Sequence, residues 1–335
     1  MEIPENRVVG GPRYKKTPVS RHHRPLHRSS MSQLVKSSYG KANVKFLKVK
    51  KDRQNTKKQE VIEANVMVLL RGGFDELYTK ADNSLVVPTD TVKNTILVEA
   101  KTSEVWPLER FAAHLAKHFT EKYSHVDGVE VLIIQQRWSK YPLSNGKVHD
   151  HSFKHEGPET KRIHLDYDKR SGKLVLTAGI KDLTVLKLTG SMFYGFHECD
   201  YTTLKPTTDR ILSTDVDATW EFDPKALPDL NSVFQAADKG LFDYTYNTAR
   251  QVTLELFALE NSASVQATMY NMSAEILAKV PEVKEVSYAL PNKHYILFNL
   301  EWKGIKDNDD LFYPASDPNG YIKSTVGRQG ANAKL

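Results

Sequence analysis

The chain predicts an α+β fold, with antiparallel strands covered by helices on one face. Two observations predict it. Apolar-rich stretches of strand length come in pairs, and between the pairs lie adjacent runs whose apolar residues recur every three or four positions. The resulting order, strand, strand, helix, helix, strand, strand, then occurs a second time. A sheet covered on one side only leaves edges that need partners, so an oligomer is expected.

The elements follow in order. Val44–Lys50 and Ala64–Leu70 are apolar-rich strands joined by the polar turn Asp52–Lys58. Thr89 stands where a helix N-cap would, ahead of Val92, Ile96 and Ala100 at spacings of four. Pro107 opens a second helix with Leu108, Phe111, Ala112, Leu115 and Phe119 on its apolar face. Val129–Trp138 and Arg162–Tyr167 return to strand. In the second half Leu174–Leu188 and Ile211–Trp220 are strands, and Phe242–Leu259 is a helix. Val265, Met269, Met272, Ile276 and Val280 mark the next helix, followed by strands Val283–Leu290 and His294–Trp302. A faint echo accompanies the repeated order. Asp90-x-x-x-Asn94-Thr95 matches Asp243-x-x-x-Asn247-Thr248, and Lys122, Val126 and Val129 match Lys279, Val283 and Val286 at one offset.

Length and composition allow a sizeable core: 335 residues with 40% apolar content. No apolar run approaches the roughly 20 residues of a membrane helix, so no membrane partner is expected. A single cysteine, Cys199, excludes an intramolecular disulfide and any Cys-rich zinc or iron–sulfur centre. It points to a reducing compartment, with Cys199 itself as a packing residue. The net charge of +6 is concentrated at one end. Residues 1–36 hold eight Lys or Arg and two acids, which leaves 39 of each sign in the remainder. The body therefore offers no net-charge argument for nucleic acid.

Residues 1–36 form a basic extension. Pro4, Pro12, Pro18 and Pro25 prevent a continuous helix, and the charge-to-apolar ratio predicts disorder. A transit peptide would need an amphipathic helix that these prolines spoil. A basic arm for nucleic acid is a second reading, and a dispensable extension is preferred, with Met31 as an alternative start. The chain ends Ala333-Lys334-Leu335, a variant of the Ser-Lys-Leu peroxisomal address, so a peroxisomal location and an import-receptor partner are expected.

Three segments concentrate groups able to do chemistry. Ala289-Leu290-Pro291-Asn292-Lys293-His294-Tyr295 places an amide, an amine and an imidazole within three residues. Val87-Pro88-Thr89-Asp90-Thr91-Val92-Lys93-Asn94-Thr95 and Asn261-Ser262-Ala263-Ser264-Val265-Gln266-Ala267-Thr268 share its polar character. With Tyr39-Gly40-Lys41, Phe193-Tyr194-Gly195-Phe196, Asp209-Arg210-Ile211-Leu212-Ser213-Thr214-Asp215 and Asp317-Pro318-Asn319-Gly320, they make the chain resemble the urate oxidase family, in its fungal, yeast-type branch, from about Ser37 to Arg328. The resemblance implies a tunnelling fold (T-fold): two tandem antiparallel ββααββ modules, 37–170 and 171–328, followed by the tail 329–335. It also implies a homotetramer enclosing a barrel, with active sites at subunit interfaces. The implied activity is cofactor-free oxidation of urate by O₂ and water to 5-hydroxyisourate and hydrogen peroxide.

The resemblance assigns roles that the residue types can fill. Arg210 would grip two atoms on the edge of the purine anion through its guanidinium fork. Gln266 would donate and accept along the opposite edge. Val265 would add its backbone N–H, and Phe193 would stack on the ring. Lys41, Thr89 and His294 would form the catalytic proton relay. Asn292 would point at the oxygen or water site, and Asp90 would support Thr89 and the purine edge from the neighbouring subunit. Taken singly, each residue has an ordinary alternative. Arg210 could be a strand residue in a surface ion pair, Gln266 solvated or capping, and Phe193 core. Thr89 could be a helix cap, His294 a satisfied half-buried histidine, and Lys41 a surface lysine.

No metal is called for. His149-Asp150-His151, with His155 nearby, is the best ligand cluster, but its surroundings at Ser144-Asn145-Gly146-Lys147 suggest a solvated loop. Two other functions remain open. One is a tunnelling-fold enzyme acting on a pterin or guanine nucleotide, which would carry zinc. The other is a non-catalytic purine or nucleic-acid binder that uses the basic extension.

Overall fold

The computed structural model describes residues 32–328. The basic extension up to Met31, the proposed alternative start and the Ala333-Lys334-Leu335 address lie outside the described residues. From Lys36 onward the chain builds one eight-stranded sheet in which every strand pairs antiparallel with its neighbours in sequence order. The strands are β1 (Tyr39–Lys51), β2 (Gln59–Gly72), β3 (Val126–Pro142), β4 (Val148–Asp168), β5 (Lys173–Lys187), β6 (Leu212–Phe222), β7 (Val283–Leu297) and β8 (Phe312–Gly327). Helices α1 (Asp75–Lys80), α2 (Thr89–Thr102) and α3 (Leu108–Lys122) connect β2 to β3. Helices α4 (Leu230–Asp238), α5 (Leu241–Leu259) and α6 (Val265–Lys279) connect β6 to β7. No described helix is long and apolar enough to cross a membrane.

The period-two pattern of the strands places one face of the sheet in the core. On β2 the residues Ile62, Ala64, Val66, Val68 and Leu70 are buried, while those between them are only partly covered. On β6 Val216, Ala218, Trp220 and Phe222 repeat the arrangement. The helices meet this face with their own apolar stripes. Val92, Ile96 and Ala100 come from α2, and Leu108, Phe111, Leu115 and Phe119 from α3. Phe242, Tyr246 and Ala249 come from α5, and Met269, Met272 and Ile276 from α6. The echo residues hold corresponding positions: Lys122 and Lys279 each end a helix, and Val126 and Val283 each begin the strand that follows.

Charged residues within this core are paired. Lys161 on β4 meets Glu109 on α3 at 2.9 Å, both side chains being almost fully buried. Glu159 on β4 receives a fork from Arg250 on α5, with Nε to Oε1 at 2.9 Å and Nη2 to Oε2 at 3.0 Å. It also pairs with Arg137 on β3 and accepts from the Tyr246 hydroxyl at 3.0 Å. Burial alone would push the Glu159 carboxyl up, but Arg250 and Arg137 hold it below the usual carboxylate range.

Several expectations are corrected. Thr89 is the first helical residue of α2 and not its cap. The cap position belongs to Pro88, and no side chain caps that end. Pro107 is likewise the residue before α3 rather than its first. The expected strand His294–Trp302 does not exist as a separate element. β7 runs unbroken through Pro291 to Leu297, because Pro291 needs only a position where no ladder N–H is required. Trp302 sits in a short 3₁₀ turn, Glu301–Lys303. The last strand, β8, begins after that turn and carries no buried residue, only partly covered ones, so it had no apolar signature to read. The short helices α1 and α4 were also unread. His149 and His151 lie on β4 rather than in a loop, and Ser144–Lys147 is the hairpin turn before them. Cys199 is exposed and not a packing residue.

Candidate active site

The residues expected to bind the purine come together around the start of β6 and α6. Arg210 does not lie in a strand. It sits in the extended lead into β6, and no ion-pair partner reaches it among the described residues. Its guanidinium lies over the Phe193 ring, 5.1 Å from the centroid. Its Nε is buried without a hydrogen-bond partner among the described residues, and burial pushes its pKa down. A half-buried guanidinium on an aromatic face with donor capacity to spare differs from the surface ion pair considered above. Phe193 is half-buried rather than core, and stacks on Phe196 with centroids 5.1 Å apart.

Backbone pairing explains this proximity. The Phe193 N–H donates to the Thr207 carbonyl at 2.8 Å, and Thr207 returns the bond at 2.9 Å. This brings Phe193 to the segment that ends in Arg210. The same loop is bonded to the lead into α6: Ser262 N–H donates to Gly190 O at 2.9 Å and Met192 N–H to Ser262 O at 2.7 Å. Three residues beyond Ser262, α6 begins. Ser264 caps it by accepting from the Ala267 N–H at 3.1 Å, so Gln266 is not the cap. Gln266 is exposed in the first turn, and Val265 is buried as the first helical residue. Its N–H belongs to the first turn of donors, which lack intrahelical partners. Ser264→Ala is expected to destabilise the protein by about 1 kcal/mol, measurable as a lower urea midpoint.

Asn292 borders the same region. It is half-buried on β7, opposite Thr214 on β6 and Gly320 on β8. Val265 and Asn292 border one small apolar cavity together with Leu212, Thr214 and Leu290. His294 lies two residues further along β7, exposed, opposite Ala315. The β7–β8 register shifts between Asn292 and His294, the kind of irregularity that re-aims side chains beside active sites. Between them Lys293 holds Asp215 at 2.6 Å, which ties this part of β7 to β6.

Lys41, Thr89 and Asp90 form a second group. Lys41 is half-buried on β1, just before a register shift and Asn43, whose φ of 59° is left-handed. The Tyr39 hydroxyl accepts from the Val87 N–H at 2.9 Å, which draws the start of β1 to the segment that enters α2. Thr89 and Asp90 are exposed in the first turn of that helix. Asp90 binds Lys93 at 2.5 Å and Asn94 at 3.0 Å. These contacts, led by Lys93 and with Lys41 contributing, lower its pKa. Gly40 allows a close approach here, because a Cβ on it would lie 1.9 Å from Val68 O.

One chain does not bring the two groups together. Neighbouring strands lie about 4.8 Å apart, and six steps separate β1 from β7. Lys41 and His294 are therefore roughly 29 Å apart along the sheet, each near an opposite edge. The Tyr39 tether escaped the sequence reading because it joins residues 48 apart in the chain. No group of three or more His, Cys, Asp or Glu suited to a metal ion occurs among the described residues.

Comparison with known proteins places this geometry in context. The family model described as Uricase matches residues 37–165 and 176–323. The chain is 66% identical over 296 residues to the uricase of Cyberlindnera jadinii, covering 88% of this chain and 97% of that one. It is 47% identical over 309 residues to the uricase of Aspergillus flavus, covering 91% and 100%. The crystal structure of uricase from Arthrobacter globiformis superposes with a TM-score of 0.79 at 37% identity, covering 91% of this chain and 98% of that chain. The eight-stranded antiparallel sheet with its helices is thus the α+β tunnelling fold expected from the resemblance. By its sequence along nearly the whole body and by its fold, the chain belongs to the uricase family.

Proposed function

We propose that the chain is a urate oxidase, an oxidoreductase that converts urate, O₂ and water to 5-hydroxyisourate and hydrogen peroxide. The observation that carries this reading is Arg210: half-buried, stacked on Phe193, and with a buried Nε that has no partner among the described residues. A flat anion fits such a group. It would take the guanidinium fork on one edge and Gln266 with the Val265 N–H on the other, and would lie against the Phe193 ring. Family membership and the uricase names of the relatives support urate as that anion.

The separation of the two groups along the sheet supports a site completed by a second copy. Lys41, Thr89 and Asp90 of one chain would meet Arg210, Gln266, Asn292 and His294 of another. Both sheet edges are unpaired among the described residues of one chain, which suits closure of several copies into a barrel, and we propose a homotetramer of tandem modules 37–170 and 171–328. Thr89 would pass a proton to or from a water or peroxide above the ring, Lys41 would polarise its hydroxyl, and His294 would close the relay. The absence of a side-chain cap at α2 leaves this role compatible with the helix. Asn292 would hold the oxygen species. Deprotonated urate supplies the electrons, and the protein supplies deprotonation, desolvation and alignment. No cofactor is part of the proposal. A peroxisomal location, through recognition of Ala333-Lys334-Leu335 by the import receptor, would suit a peroxide-forming reaction.

Purified protein is expected to consume urate and O₂ and release peroxide equally well with and without a chelator. No turnover, or complete dependence on added metal, defeats the reading. Thr89→Ala is expected to lower kcat by roughly 10²–10⁴-fold, the usual contribution of positioned proton transfer, with little change in urate affinity. A change confined to KM removes Thr89 from the relay.

A further inference from the structure

We infer that Asp209 is a positioning residue that assembles the purine clamp. The inference rests on the urate oxidase reading of Arg210, Phe193, Val265 and Gln266 and adds to it the group that holds them in register. Three chain segments that share no regular strand pairing supply those four residues: 189–193, 207–210 and 260–266. Asp209 joins the first two directly. Its Oδ2 accepts from the Thr189 hydroxyl at 2.8 Å and its Oδ1 from the Gly190 N–H at 2.9 Å. Its own backbone is fixed by Thr207, whose hydroxyl donates to Asp209 O at 2.7 Å. Gly190 then extends the chain of contacts to the third segment, since its carbonyl accepts from the Ser262 N–H at 2.9 Å. Gly190 adopts a left-handed φ of 73°, which presents its N–H and its carbonyl to these two different partners.

The consequence is geometric. Asp209 immediately precedes Arg210 and Gly190 lies three residues before Phe193, so the two carboxylate bonds fix the guanidinium relative to the ring it covers. Ser262 stands two residues before the α6 cap, so the same network sets the first turn that offers Val265 and Gln266. Hydrogen bonds to an ionised carboxylate are roughly twice as strong as neutral ones. Bonds from Thr189, Gly190 and neighbouring backbone hold the Asp209 carboxyl below its ordinary range, so it remains charged wherever the enzyme would act. The short strand pairing at Phe193 and Thr207 holds one end of the loop, and Asp209 ties the other end, at Thr189 and Gly190, directly to the residue before Arg210.

Asp209→Asn and Thr189→Val test the inference. Each removes part of the bridge without altering a group that touches the purine. Both are expected to raise KM for urate on the order of tenfold, with kcat changed by less than about twofold, because the clamp rather than the relay is displaced. The double variant is expected to be no worse than Asp209→Asn alone, since one bond is lost in both. Asp209→Glu, which keeps the charge but lengthens the arm, is expected to recover part of the affinity. Equal loss of kcat and KM effects across all variants, or a lowered Tm with KM unchanged, overturns the positioning role and assigns Asp209 to general loop stability. Unchanged KM in Asp209→Asn, while Arg210→Lys still loses affinity, overturns the inference and leaves the urate oxidase reading intact. Absence of urate turnover in the unaltered protein overturns both.

Discussion

Arg210→Lys is expected to weaken urate binding by about 1.5–3 kcal/mol, the worth of one hydrogen bond to a charged partner, or roughly ten- to 150-fold. Lysine keeps the positive charge but gives up the planar fork, so one of two edge contacts is lost and the ammonium stem covers Phe193 poorly. The geometry makes the site sensitive to this change. The guanidinium sits 5.1 Å over the ring and its Nε is buried with nothing among the described residues to satisfy it. A group already desolvated gains more from a ligand than one in water, because its hydration was lost on folding. Calorimetry with urate under anaerobic conditions separates binding from turnover. Unchanged affinity takes Arg210 out of the site, and with it the observation on which the function rests.

The fold was legible wherever apolar residues repeat against a buried face. Val92, Ile96 and Ala100, or Leu108, Phe111 and Leu115, announced α2 and α3 because those positions are buried. β8 was missed because its residues are mostly exposed, leaving no apolar alternation to find. The sequence divides β7 in two because Pro291 is ordinarily a terminator, whereas in the sheet it lies opposite Tyr321 within a continuous strand. The candidate site divides similarly. Segments such as Ser264-Val265-Gln266 were visible as short polar motifs, and the structure places Ser264 as the cap that sets the other two. The tie from Asp209 to Thr189 and Gly190 spans about twenty residues of loop, and no periodicity encodes it. The distance between Lys41 and His294 could not be read either, since it depends on the strand order of the whole sheet.

Glu159 carries the largest stability prediction. It is buried, and it joins β4 to α5 through Arg250 and Tyr246 while also pairing with Arg137 on β3. The contact therefore links strands β3 and β4 to a helix from the second half of the chain. Breaking a buried pair by removing one partner costs about 3–5 kcal/mol, because the other charge stays behind uncompensated. The Arg137 and Arg250 side chains are 24% and 30% exposed, so water can take up part of that debt. Glu159→Ala is accordingly expected near the lower end, about 3 kcal/mol. Urea denaturation at fixed protein concentration measures it, since assembly would otherwise shift the midpoint. The loss should depend on pH in one direction. The folded-state pKa of Glu159 is depressed, so its contribution is complete above the unfolded value of about 4.3 and fades as pH falls through and below it. The gap between the unaltered protein and Glu159→Ala should therefore be full near neutrality and narrow in acid. A variant within about 0.5 kcal/mol of the unaltered protein, or a gap that widens in acid, would show that the two arginines find other compensation and that the β4–β5 ladder and apolar packing hold the two halves of the chain together without Glu159.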